Sequence, residues 1–176
     1  MEQTIKKGAK YMSEKNILDG SETYALTIII APHCDDEIIG CYKYLKETNI
    51  IIYDGDSPLE RREEALNLKN HFEVNQLFLK TIPPNLLDTK NKFFIPDPIF
   101  ENHPLHRSWG FVGEQMARIG LDVTFYNTTM KAPYIHEVKD VEGKKSLLNK
   151  IYPRQKSLWE YNHKSFLFEG YCKWLF

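Results

Sequence analysis

The chain has 176 residues, of which 42% are hydrophobic and 27% charged, with a formal net charge of -1; this describes an ordinary globular chain of one domain, residues 1–176, opening on a polar segment over 1–22. The near-zero charge, with lysines and arginines scattered, leaves no electrostatic footprint for nucleic acid or an anionic membrane, and no apolar run approaches the ~20 residues of a membrane span. Three cysteines (Cys34, Cys41, Cys172) without C-x-x-C spacing, and a start with no apolar signal-peptide core, argue against a secreted disulfide scaffold and predict a reducing, cytoplasmic setting.

Residues 24–30, ending in Leu26-Thr27-Ile28-Ile29-Ile30, predict a buried strand. Residues 36–48 predict a helix, with Ile38, Tyr42 and Leu45 on one face and Gly40 placed for close packing. Ile50-Ile51-Ile52-Tyr53 is a second strand, closed by Asp54-Gly55-Asp56. Ser57-Pro58-Leu59-Glu60 has the pattern of a helix start with Ser57 as N-cap and Pro58 at the first position. Ala65, Leu68 and Phe72 form its inward stripe. Residues 76–80 predict a third strand. The stretch 81–106, rich in Pro and Asn, reads as a long functional loop. Val112, Met116 and Ile119 mark a helix ended by Gly120, residues 121–126 alternate as a strand, and residues 142–152 form a short helix stopped by Pro153. The aromatic tail over 155–176 is mostly helical in pattern. Strands alternating with helices imply an α/β fold with a mainly parallel sheet and helices on both faces, whose ligands bind beyond the carboxyl ends of the strands. No GxGxxG follows the first strand, so dinucleotide binding is unsupported.

Two clusters carry chemistry. Ala31-Pro32-His33-Cys34-Asp35-Asp36-Glu37 places an imidazole and three carboxylates directly after the first strand. Charges this dense at a buried strand end are costly unless partnered. Acids at a helix start explain Asp35, Asp36 and Glu37, but not His33. Asn102-His103-Pro104-Leu105-His106-Arg107 brings two more histidines; Pro104 resists helix, so a rigid loop presenting both rings is expected. Together the clusters offer His33, Asp36 and His106, two imidazoles and a carboxylate, the donor set that leaves a fourth position open on a catalytic zinc. Cys34 is read as a packing residue. Trp109, Tyr134 and Trp159 have the chemistry to stack on a sugar ring, although core packing is the better reading of each. His71, His136 and His163 are read as structural or exposed.

Pro32-His33-Cys34-Asp35-Asp36-Glu37 resembles the HPDDE signature of the LmbE/PIG-L family of zinc-dependent N-acetylglucosaminyl de-N-acetylases. Gly40-Cys41, Asp54-Gly55-Asp56, Arg61-Arg62-Glu63-Glu64-Ala65, His103-Pro104-Leu105-His106 and Tyr152-Pro153-Arg154-Gln155 resemble its later motifs, in order, over residues 28–155. The resemblance implies a Rossmann-like fold and removal of an N-acetyl or other N-acyl group from a small-molecule amino-sugar conjugate. It implies one Zn2+ on His33, Asp36 and His106, with Fe2+, Co2+ or Mn2+ as substitutes. It assigns Asp35 as general base to a zinc-activated water, His103 as the residue facing the oxyanion, and Arg61, with Arg62 as the alternative, as the substrate-binding residue. Glu37 reads either as a first-turn acid or as a carboxylate orienting a ligand imidazole. Cys34 stands where the family has proline, and Leu105 where many members carry an Asp that pairs with the first histidine, so His103 is expected to be neutral or differently oriented. Two other readings use the same residues: an amidase acting on a non-sugar N-acyl amine, and a non-catalytic metal- or sugar-binding module.

Overall fold

A computed structural model describes residues 24–129, 131, 134–157 and 164–174. The predicted N-terminal segment over 1–22, Trp159 and His163 lie outside the described residues. The strands are β1 (Thr27–Ala31), β2 (Ile50–Asp54), β3 (Asn75–Leu79), β4 (Lys92–Pro96), β5 (Asp122–Asn127), β6 (Ile135–Glu137) and β7 (Phe168–Cys172). The helices are α1 (Asp36–Cys41), α2 (Leu59–Ala65), α3 (Pro104–Arg118), α4 (Val141–Ile151) and α5 (Lys164–Leu167).

The strands form one sheet in the order β3-β2-β1-β4-β5-β7-β6. β3, β2, β1, β4 and β5 run parallel, with Ile28 opposite Ile50 and Phe93 opposite Val123. β7 joins β5 antiparallel and β6 joins β7 antiparallel. This is the α/β, mainly parallel, helix-flanked sheet that strand-helix alternation predicted, extended by two antiparallel strands.

Side-chain alternation divides the core in two. Ile29 and Ala31 face one side, with Ile38, Leu45, Ala65 and Leu148. Ile28 and Ile30 face the other, with Leu86, Trp109 and Met116. Both faces of β1 are therefore buried, which is why its sequence is a continuous apolar run rather than an alternating one. Each isoleucine taken fully out of water contributes about 1.5–3 kcal/mol. α1 approaches the sheet closely at Gly40, where a Cβ would lie 2.3 Å from the Tyr126 ring, and the Tyr126 hydroxyl donates to the Ile30 carbonyl at 2.8 Å.

Several expected elements are corrected. The helix over 36–48 is α1 followed by a 3-10 turn over Tyr42–Glu47. Pro58, not Ser57, is the N-cap of α2, and no side chain caps that helix. The long loop over 81–106 contains β4, a central strand, because Phe93, Phe94 and Ile95 are fully buried. Pro104 does not resist helix: it occupies the first turn of α3, where its missing N–H is no loss. In the tail, residues 168–172 are strand rather than helix. Among the described residues, no helix is long and apolar enough to cross a membrane.

Candidate metal centre

The chain runs from β1 outward through β2 to β3, then returns to the other side of β1 with β4 and β5. The crevice above the carboxyl ends of β1 and β4 is therefore the topological switch point of the sheet, where open α/β folds bind ligands. The segment after β1 carries His33, Asp35, Asp36 and Glu37. The segment after β4 carries Glu101 and His103, and leads into α3 with His106 in its first turn. Gly110 lets α3 lie directly on Pro98, since a Cβ there would sit 2.7 Å from the Pro98 backbone. That contact seats the helix start against the loop after β4.

His33, Asp36 and His106 converge, as the two sequence clusters predicted. His33 Nδ1 lies 2.9 Å from His106 Nε2. Asp36 Oδ2 lies 3.0 Å from His106 Nε2 and 3.4 Å from His33 Nδ1. Donor atoms around a tetrahedral zinc at about 2.0–2.1 Å stand about 3.3 Å apart, so this triangle has the dimensions of a three-ligand face. His103 joins the cluster: His33, His103 and His106 offer ring nitrogens all within 4.8 Å of one another, a group that could hold a metal ion. The set containing Asp36 is the tighter one, and His103 is otherwise engaged. As N-cap of α3, its Nδ1 accepts from the Leu105 backbone N–H at 3.3 Å.

Electrostatics distinguish the three histidine-linked roles. Burial opposes a charge on His106, but the Asp36 carboxylate and then Glu101 raise its pKa to about 10. Burial likewise opposes the charge on Asp36, yet His106 and His33 hold its carboxyl below the usual range. Burial, then its neighbours His33 and His106, lower the His103 pKa below the ordinary imidazole value, which favours its neutral form.

Asp35 is buried and does not belong to the donor triangle. Burial, then the charges of Asp36 and Glu37, push its pKa well up, while Arg61 and His106 act in the opposite sense. Its backbone has φ 156° and ψ -22°, a conformation rare for an L residue and of the kind that clusters at functional sites. Arg61 is thus in electrostatic reach of Asp35. Arg62 is occupied elsewhere: its guanidinium donates to the carbonyls of Ser57 and Gly55 and lies over the Phe78 ring. Of the two arginines, the geometry leaves Arg61 to the site.

Glu37 does not orient an imidazole. Its Oε2 accepts from the Asp35 backbone N–H and its Oε1 from the Tyr152 hydroxyl, and burial raises its pKa to about 8. The carboxylate that orients an imidazole is Glu101, which the sequence reading did not single out. Its Oε2 lies 3.0 Å from His106 Nδ1, the nitrogen turned away from the triangle. Glu101 is itself held by the backbone N–H and hydroxyl of Thr128. A carboxylate on the distal nitrogen fixes the tautomer and orientation of a metal-ligating histidine.

The late segment closes the centre from the side. Gln155 Nε2 donates to the Cys34 carbonyl at 2.9 Å and to Glu64 at 3.1 Å, and Glu64 also accepts from the Arg154 N–H. Cys34 is fully buried, with its thiol pushed up to about 12 by burial and the nearby Glu37 charge, so it is a packing residue. Trp109 is buried, as core packing predicts, with Nε1 donating to Asp54 at 3.3 Å, and it lines a groove beside α3. Asp56 pairs with Lys80 at the surface. Comparison with protein-family models, with curated proteins and with solved structures yields no match for this chain.

Proposed function

We propose that this chain is a metal-dependent hydrolase that removes an N-acetyl or other N-acyl group from an amino sugar or its conjugate. The carrying observation is the triangle of His33, Asp36 and His106 at the switch point, with a separate buried carboxyl, Asp35, on the adjoining residue. The segments that resemble LmbE/PIG-L motifs also meet in space around it: the residue 33–37 loop, Glu64, His103, His106, Tyr152 and Gln155. His33, Asp36 and His106 would hold zinc, with Fe2+, Co2+ or Mn2+ suited to the same donors. A divalent ion bound there supplies Lewis acidity, polarising an amide carbonyl and acidifying water to a pKa of roughly 7.

The residues supply the rest. Asp35 accepts a proton from the attacking water and returns it to the amine nitrogen as the C–N bond breaks, so the water oxygen leaves in the carboxylate product. A carboxyl raised by burial is the stronger proton acceptor for this purpose. His103 accepts at Nδ1 and therefore carries its proton on Nε2, the atom available to donate to the carbonyl oxygen as negative charge builds there. One such donor contributes on the order of 3 kcal/mol to the barrier. Arg61 engages the substrate beside Asp35.

One observation favours a second reading, an amidase for a non-sugar N-acyl amine. A groove of about 370 Å³ beside α3 has an apolar side, from Ile82, Leu87, Leu105, Val112 and Met116, facing a polar one with Asp54, Lys80, Thr81 and Ser108; the apolar side suits an apolar amine better than a sugar. A mass-spectrometric screen of the zinc-loaded protein separates them, using N-acetylglucosamine conjugates against simple N-acyl amines, with metal content measured on the same sample. Release of acetate from the sugar conjugates, lost in Asp35→Asn while zinc is retained, is the expected result. Turnover of Asp35→Asn at the parental rate would overturn the assignment of the base.

A further inference from the structure

A second cavity, of about 470 Å³, opens on the opposite end of α1 from the metal centre, between the 3-10 turn over Tyr42–Glu47 and the segment joining β6 to α4. Asp36 begins α1 in the metal centre and Tyr42 follows its last residue in this cavity, about 9 Å further along the helix at 1.5 Å per residue. The volume falls in the range of small-molecule sites, about 300–1,000 Å³. Its walls are apolar, from Phe72, Val138 and the Tyr42 ring, and its rim carries Lys43, Lys46 and Lys139.

With Glu169 neutralised by Lys144, the lining keeps three ammonium groups against two carboxylates, Asp140 and Glu137. Of its three carboxylates, Glu169 is buried and satisfied: it accepts from Lys144 Nζ at 3.1 Å, the Tyr171 hydroxyl at 2.7 Å and the Tyr42 N–H at 2.8 Å. Asp140 caps α4 through the Gly143 N–H and accepts from the Tyr42 hydroxyl. Glu137 alone is exposed without a described partner. Opposite them, none of Lys43, Lys46 and Lys139 makes an ion pair among the described residues. Lys43 instead lies over the Tyr44 ring, 5.3 Å from its centroid. His136 adds a further donor at the rim, stacked against Tyr171. Apolar walls beneath unpaired ammonium groups select one chemistry: the walls desolvate a flat apolar body, and the rim pairs with a charge of opposite sign at its edge.

We propose that this cavity is a second binding site, for a small aromatic anion such as an aryl carboxylate, sulfonate or phosphate. It is independent of the reading of the metal centre. The probe is 1-anilinonaphthalene-8-sulfonate, titrated by fluorescence into the full chain beside its uncharged parent, N-phenyl-1-naphthylamine. The sulfonate binds saturably at one site. The double variant Lys46→Glu/Lys139→Glu, exposed and expected to fold, weakens it at least tenfold and leaves the uncharged dye within twofold. Phe72→Ala weakens both dyes. Leu87→Asp, in the groove beside α3, leaves the sulfonate titration unchanged. The proposal is overturned if charge reversal at Lys46 and Lys139 leaves sulfonate affinity intact in a folded protein, or if Leu87→Asp is the variant that abolishes it.

Discussion

Glu101→Gln is the most informative single substitution, because it removes a charge and little volume. Both carboxylate oxygens are engaged: Oε2 with His106 Nδ1 at 3.0 Å, Oε1 with the Thr128 N–H and hydroxyl. The residue is only 2% exposed, so water does not replace a lost partner. A glutamine amide has one acceptor oxygen and one donor nitrogen. If the oxygen stays with Thr128, the amide N–H₂ faces His106 Nδ1 and the ring loses its orienting acceptor; if it flips, two donors meet at Thr128. Losing a carboxylate behind a ligating imidazole costs about 10–100-fold in metal affinity, or roughly 1.4–2.7 kcal/mol. The unmet buried donor costs the fold a further 1–3 kcal/mol or so. Competition with a chromophoric chelator, on protein shown folded by circular dichroism, measures the first effect; urea unfolding measures the second. Zinc affinity within twofold of the parent would refute the role given to Glu101.

His106, with its pKa raised to about 10, holds a proton in the folded chelator-treated protein that it releases in the unfolded chain above about 6.5. Its contribution to stability is therefore complete below pH 6.5 and is lost as pH rises through 10; the unfolding free energy should fall over pH 7–10, and that fall should be shallower in His106→Gln, where Glu37, raised to about 8, still contributes to it below pH 8. Equal slopes in the two proteins would contradict it. For Gly40→Ala, the added methyl meets the Tyr126 ring, so overpacking should cost about 1–3 kcal/mol in urea unfolding; no loss would mean that α1 has room the packing denies. Cys34, Cys41 and Cys172 are all buried with thiols raised by burial, so native protein at pH 8 should resist alkylation and take up three equivalents only on unfolding. Prompt labelling of the native chain would count against this packing.

The candidate metal centre is legible where chemistry is dense in sequence. His33, Asp35 and Asp36 follow a strand immediately, and His103 and His106 fall within four residues, so both halves of the triangle stand out in the sequence. Glu101 does not, because a lone acid five residues before His106 in an irregular stretch has no spacing that marks it; only the turn closed by Asp97, which accepts from the Ile99 and Phe100 N–H groups, brings it behind the ring. β4 is hidden for a related reason: its run of large apolar residues, Phe93-Phe94-Ile95, is three residues between a lysine and a proline, too short for a periodic pattern. In β7 a glycine and a glutamate interrupt the apolar run, and Glu169 is tolerated in the interior because Lys144, the Tyr171 hydroxyl and the Tyr42 N–H are all brought against it. Pro104 misled through its ordinary effect, since helix breaking and helix starting depend on one position's difference.

Elemental analysis of the purified chain and its His106→Ala variant, both reloaded with zinc and desalted, tests the central claim most directly. One zinc per parental chain, and none in the variant, is the predicted result. A variant that keeps a full equivalent would show that the triangle of His33, Asp36 and His106 is not what binds the ion.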